Sequence, residues 1–83
     1  MQIQDFQTSV AESISYLSIV ANNIGKLTLK IFDTNGFIAK TISTQIAQGA
    51  QLLDINLGDL NEGTYIINAF NGDEFLKAFR ITK

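Results

Sequence analysis

Apolar and polar residues alternate along most of the chain, a pattern that favours β-strands over helices. The clearest example is residues 26–33, where aliphatic side chains share one face of the predicted strand and polar side chains share the other. This alternation predicts strands at residues 13–20, 26–33, 37–43, 52–57, 65–70 and 75–82, and a further strand at 3–8. Residues 10–17 and 47–54 have weak helical character, but their Ser, Gly and β-branched neighbours disfavour a helix.

Glycine and asparagine mark the turns between these strands. Asn35-Gly36 predicts a tight hairpin, because Gly readily takes the positive φ that such turns need. Asn71-Gly72-Asp73 predicts a second hairpin, and a polar loop surrounds Gln48-Gly49. Asp33-x-Asn35-Gly36 is also half of a calcium-binding loop, but it runs into Phe37 instead of completing an EF-hand. We therefore predict a plain turn there.

Together these elements predict an all-β protein: a small antiparallel two-sheet β-sandwich, Ig-like, with about seven strands. The 83 residues are enough for one domain, over residues 1–83, with 46% hydrophobic and only 17% charged residues. The chain has no cysteine, so disulfides do not stabilise this core.

Gly63 and Tyr65 match a short sequence pattern that indicates a particular turn at the start of a strand. A glycine two residues before a tyrosine, where a strand begins, is typical of the tyrosine corner of Greek-key sandwiches. The phenol hydroxyl is then expected to bond to backbone a few residues upstream, and Leu60 is expected to fill the core beneath it. We assign structural roles to these three residues and to Asn35 and Gly36.

Five phenylalanines present an alternative between core packing and a carbohydrate-stacking surface. We expect core packing, because burial of each ring contributes about 1.5–3 kcal/mol and so small a domain needs it. The case for core packing is weakest for Phe32, since it shares a strand face with Thr28 and Lys30. The five residues are Phe32, Phe37, Phe70, Phe75 and Phe79.

Composition argues against several classes of function. The chain has neither His nor Cys and no G-x-S-x-G motif, and most of its carboxylates fall in predicted turns. We therefore expect no enzyme, no metal and no cofactor. The net charge is −2 and the six basic residues look scattered, which argues against nucleic-acid binding. No apolar run is long enough for membrane insertion, and Met1–Asp5 lacks the features of a signal peptide.

Two segments and the end of the sequence resemble the C-terminal sorting domain of proteins exported by the type IX (Por) secretion system. Leu29–Gly36 is similar to the family's L-K-I-Y-D-x-x-G block, and Asp59–Tyr65 to its D-L-x-x-G-x-Y block. The chain then closes on a strand with a basic end, and the resemblance covers about residues 13–83. It departs from the family at Thr8–Ser13, where a Pro-Asn-Pro turn is typical.

The resemblance implies a recognition module rather than an enzyme. It implies a cargo protein fused upstream, passage through the periplasm to the cell surface or medium, recognition by the outer-membrane translocon, and removal by a surface sortase. The candidate recognition strand would lie at a sheet edge, with two side chains inward: Phe79, Arg80, Ile81, Thr82 and Lys83. The alternative is a stand-alone β-sandwich that binds carbohydrate or protein, acts in adhesion or serves as a fibre subunit.

Overall fold

A computed structural model describes residues 1–9 and 14–83, and every regular element in these residues is a β-strand. The strands are β1 (Gln2–Ser9), β2 (Ile14–Ala21), β3 (Gly25–Phe32), β4 (Ile38–Ile46), β5 (Gly49–Asn56), β6 (Thr64–Asn71) and β7 (Glu74–Thr82). All seven predicted strands are therefore confirmed. Ser13, the first residue of one prediction, lies outside the described residues.

The largest extensions beyond the predicted bounds are at the end of β4 and at the start of β5. The short turn between β4 and β5 is closed by the side-chain amide of Gln51. This amide donates to the Ala47 carbonyl oxygen at 2.6 Å and accepts from the Ala47 N–H at 3.2 Å. Residues 14–17 and 49–54, where helix was the alternative, lie in strands β2 and β5. The rest of the first window, residues 10–13, lies outside the described residues.

The strands form two antiparallel sheets. We call the three-stranded sheet, in the order β1-β2-β5, sheet A, and the four-stranded sheet, in the order β4-β3-β6-β7, sheet B. The chain crosses between the sheets from β2 to β3, from β4 to β5 and from β5 to β6, as Greek-key sandwiches do. The predicted antiparallel sandwich is confirmed, and β7 lies at one edge of sheet B.

The core lies between the two sheets and is built from inward residues of each. Sheet A contributes mainly from β2 and β5, and sheet B from β3 and β6, as period-two alternation dictates. Fully or nearly fully buried aliphatic side chains form its centre: Leu17, Ile19, Leu27, Leu29, Ile31, Ile55 and Ile67. Among residues 1–9 and 14–83, there is no helix with the length and apolarity of a membrane span.

The prediction that the phenylalanines pack in the core is wrong for Phe37 and Phe75, which are 70% and 55% exposed. It is also wrong for Phe32 and Phe70, which are half-buried on the outer face of sheet B. Phe37 directly follows the hairpin turn, before β4 begins. Phe75 pairs with Phe70 because a register shift in the β6–β7 ladder places both on the outer face of sheet B. The two rings pack edge to face, with their centroids 5.7 Å apart. Of the five rings, only Phe79 is partly buried against the core cluster.

Candidate functional site

The predicted recognition strand coincides with the second half of β7. Phe79 and Ile81 point inward and pack against the core, whereas Arg80 and Thr82 are exposed. Among residues 1–9 and 14–83, the only strand that pairs with β7 is β6. The polar side chains Arg80 and Thr82 lie on the outer face of the sheet.

The inward face of β7 is fastened to the other sheet by stacked rings. The Phe79 ring stacks on Phe6 of β1, with centroids 5.5 Å apart and planes inclined by 30°. The Lys77 ammonium lies 5.4 Å from the Phe79 centroid, within the range of a cation–π contact. These contacts hold the inward face of β7 and leave its outer face uncovered by them.

Lys83 has structural contacts of its own, although it is exposed. Its backbone pairs with Gly63 through two hydrogen bonds, of 3.1 and 2.8 Å. Its ammonium donates to the carbonyl oxygen of Leu57 at 2.6 Å and also to that of Leu60. Lys83 therefore holds the connection between β5 and β6 against the end of β7, in addition to any role in recognition.

The D-L-x-x-G-x-Y segment forms this connection. The Tyr65 hydroxyl donates to the Asn61 carbonyl oxygen, four residues upstream, at 2.7 Å. This is the geometry of a tyrosine corner. Leu60 donates its N–H to the Leu57 carbonyl oxygen at 3.1 Å and packs its side chain against the core. Gly63 has φ 154°, a conformation that favours glycine.

Lys40 of β4 holds the same connection from the opposite edge of sheet B. Its ammonium donates to the Asn56 carbonyl oxygen and to the Asp59 carboxylate, both at 2.8 Å. The hydrogen bond from Lys40 lowers the pKa of Asp59, and the charge of Lys40 adds to the effect. The stabilisation is present above the ordinary pKa of Asp59 and is lost as the pH falls through its lowered value. Because Asp59 is exposed, this contribution is small.

The Asp33–Gly36 segment forms a self-contained turn. One Asp33 carboxylate oxygen accepts the backbone N–H of Asn35 at 2.9 Å and that of Phe37 at 3.0 Å. Gly36 donates its N–H to the Asp33 carbonyl oxygen at 3.1 Å, with φ 85°. The plain hairpin predicted here is present. Its aspartate is engaged by the turn backbone, as in an Asx-turn.

Replacement of Tyr65 by Phe should lower the free energy of unfolding by about 0.5–1.5 kcal/mol, because one hydrogen bond is lost and the ring stays in place. Chemical denaturation of both proteins measures the difference. Tyr16→Phe is the matched control, because Tyr16 is the chain's other tyrosine and lies in sheet A, away from the corner. An equal midpoint for wild type and Tyr65→Phe would remove the corner as a source of stability.

Sequence reasoning missed the distribution of charge over the two sheets. The basic residues look scattered along the chain, yet three of them lie on the outer face of sheet B: Lys26, Lys30 and Arg80. The signal was present in the alternation of β3, because Lys26 and Lys30 are an even number of residues apart and so share a face.

Comparison with protein families identifies the chain. The family model described as "Secretion system C-terminal sorting domain" matches residues 11–81. The matched region includes both blocks and most of β7, but not Thr82 or Lys83. A search of curated proteins gave no match. Domains of this family serve as sorting signals of the type IX (Por) secretion system, are typically non-catalytic and imply a secreted or outer-membrane-associated cargo. Because the match spans most of its length, this chain belongs to the family of type IX C-terminal sorting domains.

Proposed function

We propose that the outer-membrane translocon of the type IX system recognises this domain along strand β7. The cargo protein, fused upstream, would reach the translocon from the periplasm. A surface sortase would then remove the domain from the cargo. Family membership supports interaction with the secretion machinery, and the edge position of β7 supplies a physical means of recognition.

The observation that carries this proposal is that, in the part of the chain that the structure describes, β7 pairs with β6 alone. An edge strand offers backbone donors and acceptors to an added strand, and this is the basis of β-augmentation. Phe79 and Ile81 fix the strand on the core, while Arg80 and Thr82 remain exposed for selection of the partner. Charged side chains on an edge strand also discourage pairing between copies. Because Arg80 and Thr82 are assigned to selection of the partner and not to packing, the test has to measure export rather than stability.

Replacement of Arg80 and Thr82 by alanine should impair export of a periplasmic reporter fused upstream of the domain, in a host that has the type IX system. The two side chains are exposed, so the double substitution should change the stability by only about 0.5 kcal/mol per site. Protease accessibility of the reporter on whole cells measures export. Mass spectrometry of the exported reporter shows whether the domain has been removed, as the sortase step requires.

Glu74→Ala is the matched control, because Glu74 is also an exposed charged residue of β7 but lies at the opposite end of the strand from Arg80 and Thr82. It should leave export unchanged. Lys83 is kept in all these variants because it holds the β5–β6 connection. Normal export of the Arg80/Thr82 variant would show that these side chains are not read. Retention of the intact fusion inside the cell would instead favour a binding or adhesion module.

A further inference from the structure

The outer face of sheet B carries a row of apolar side chains that crosses three strands. Phe32 of β3 pairs with Ile38 of β4 on one side and with Ile66 of β6 on the other. Arg80 of β7 pairs with Ile66 and ends the row. We call Ile38, Phe32 and Ile66 the apolar row. Since neighbouring strands lie about 4.8 Å apart, the row is about 10 Å long.

The apolar row is open to solvent. Ile38 is 55% and Ile66 38% exposed, and Phe32 is partly exposed. Phe70 and Phe75 share this face: their rings contact each other, Phe75 is as exposed as Ile38, and the Lys30 ammonium lies 5.1 Å from the Phe70 centroid. A contiguous exposed apolar surface with a polar rim is typical of a site of interaction with another molecule.

The charged residues at the paired positions of this outer face have one sign. Lys26, Lys30 and Arg80 lie on this face, and the cross-strand pairs that share it include neither Asp nor Glu. The three strands of sheet A have the opposite character: they contain neither Lys nor Arg, but do contain Asp5 and Asp54. A chain with net charge −2 thus presents a basic surface at this one face.

We propose that the apolar row and its basic rim form the docking surface for a protein partner that presents apolar side chains between carboxylates. This inference rests on the proposed function, and it extends the recognised surface from the edge of β7 across the outer face of sheet B. Arg80 belongs both to the edge of β7 and to the outer face of sheet B, because it lies on the edge strand and ends the apolar row. Complementary charge would orient the partner, and the apolar row would supply the desolvated centre of the interface.

Two other occupants fit the surface less well. A two-fold contact between copies would bring the same patch of each against the other, so Lys30 and Arg80 would face like charges. Insertion into a lipid surface requires apolar side chains to penetrate about 5–10 Å. Phe32, at the centre of the row, is itself partly buried among its neighbours in the sheet.

Export of the reporter fusion tests the docking surface through two variants. The double variant Ile38→Thr/Ile66→Thr removes the apolar row but keeps β-branched residues that suit strands. Lys30→Glu reverses the charge at the centre of the face. Each should lower the exported fraction about tenfold, which corresponds to a loss of about 1.4 kcal/mol of binding free energy. Each purified variant should retain a cooperative unfolding transition.

Leu52→Thr is the matched control. Leu52 is 64% exposed, in strand β5 on the outer face of sheet A, and this variant should export as the intact domain does. Normal export of both sheet B variants, while the intact fusion is exported, would overturn the docking surface and leave the proposed function standing. Failure of the intact fusion would overturn the proposed function itself. An equal loss from Leu52→Thr would also overturn the inference, because the effect would not be specific to sheet B.

Two measurements on the purified domain address the other occupants. Sedimentation equilibrium should show a monomer, and co-sedimentation with vesicles of phosphatidylcholine and phosphatidylglycerol should show no binding. Self-association that Ile38→Thr/Ile66→Thr abolishes would identify a second copy as the occupant. Vesicle binding lost in the same variant would identify a lipid surface. Either result would contradict a protein partner of acidic and apolar character.

Discussion

Ile67→Ala should lower the free energy of unfolding by about 2–5 kcal/mol, whereas Ile66→Ala should lower it by only about 0.2–1 kcal/mol. Ile67 is fully buried, and its cross-strand partners are Ile31 and Phe79. Ile66 is the next residue along β6 but points to the outer face of sheet B. The domains of globular proteins are typically stable by about 5–15 kcal/mol, so the first variant loses a large share of the total.

Urea denaturation of the two variants measures this difference, and each serves as the control for the other. The chemical change is the same in both, as is the strand, so only the face of the sheet differs. Similar losses in the two variants would contradict the register of β6. A larger loss from Ile66→Ala would mean that the face of sheet B bearing the apolar row, and not the face bearing Ile67, packs against sheet A.

Gly63→Ala should lower the free energy of unfolding by about 1–3 kcal/mol, more than Tyr65→Phe does. At φ 154°, Gly63 has a backbone conformation that residues with a Cβ rarely adopt. Both hydrogen bonds to the Lys83 backbone depend on that conformation. The nearest atom to an added Cβ would be in the Tyr65 ring, 4.0 Å away, so strain rather than a clash accounts for the loss.

Gly58→Ala is the control for this prediction. Gly58 lies in the same connection between β5 and β6, but its φ is outside the positive region. An added Cβ there would lie 3.2 Å from the Asn56 side-chain oxygen, which accepts the Gly58 N–H and would have to shift slightly. Thermal unfolding should show a smaller loss for Gly58→Ala. If the two glycine variants lose the same stability, the conformation of Gly63 has no special role.

The sequence predicts the strands because their signals are local. Alternation assigned Leu27, Leu29 and Ile31 to the core, where the structure places them. Glycine marked both hairpin turns, with φ 85° at Gly36 and 59° at Gly72. The Tyr65 hydrogen bond spans only four residues, so a short motif is enough to anticipate it.

Contacts between distant residues could not be predicted in the same way. Lys40 and Lys83 both hold the connection between β5 and β6, but Lys83 is 26 residues away from Leu57, whose carbonyl oxygen it binds. The pairing of Phe70 with Phe75 depends on a register shift in β6–β7 that alternation does not reveal. For the same reason, the apolar row became visible only once the order of the strands in sheet B was known.

The most direct test of the central claim is the fraction of a fused reporter that reaches the cell surface or the medium. The reporter, with the intact domain attached, is expressed in cells with the type IX system and in otherwise identical cells without the translocon. Whole-cell protease accessibility and assay of the medium give the exported fraction. We predict export in the first cells and retention in the periplasm of the second. Equal exported fractions in the two cell types would contradict the assignment of this domain as a type IX sorting signal.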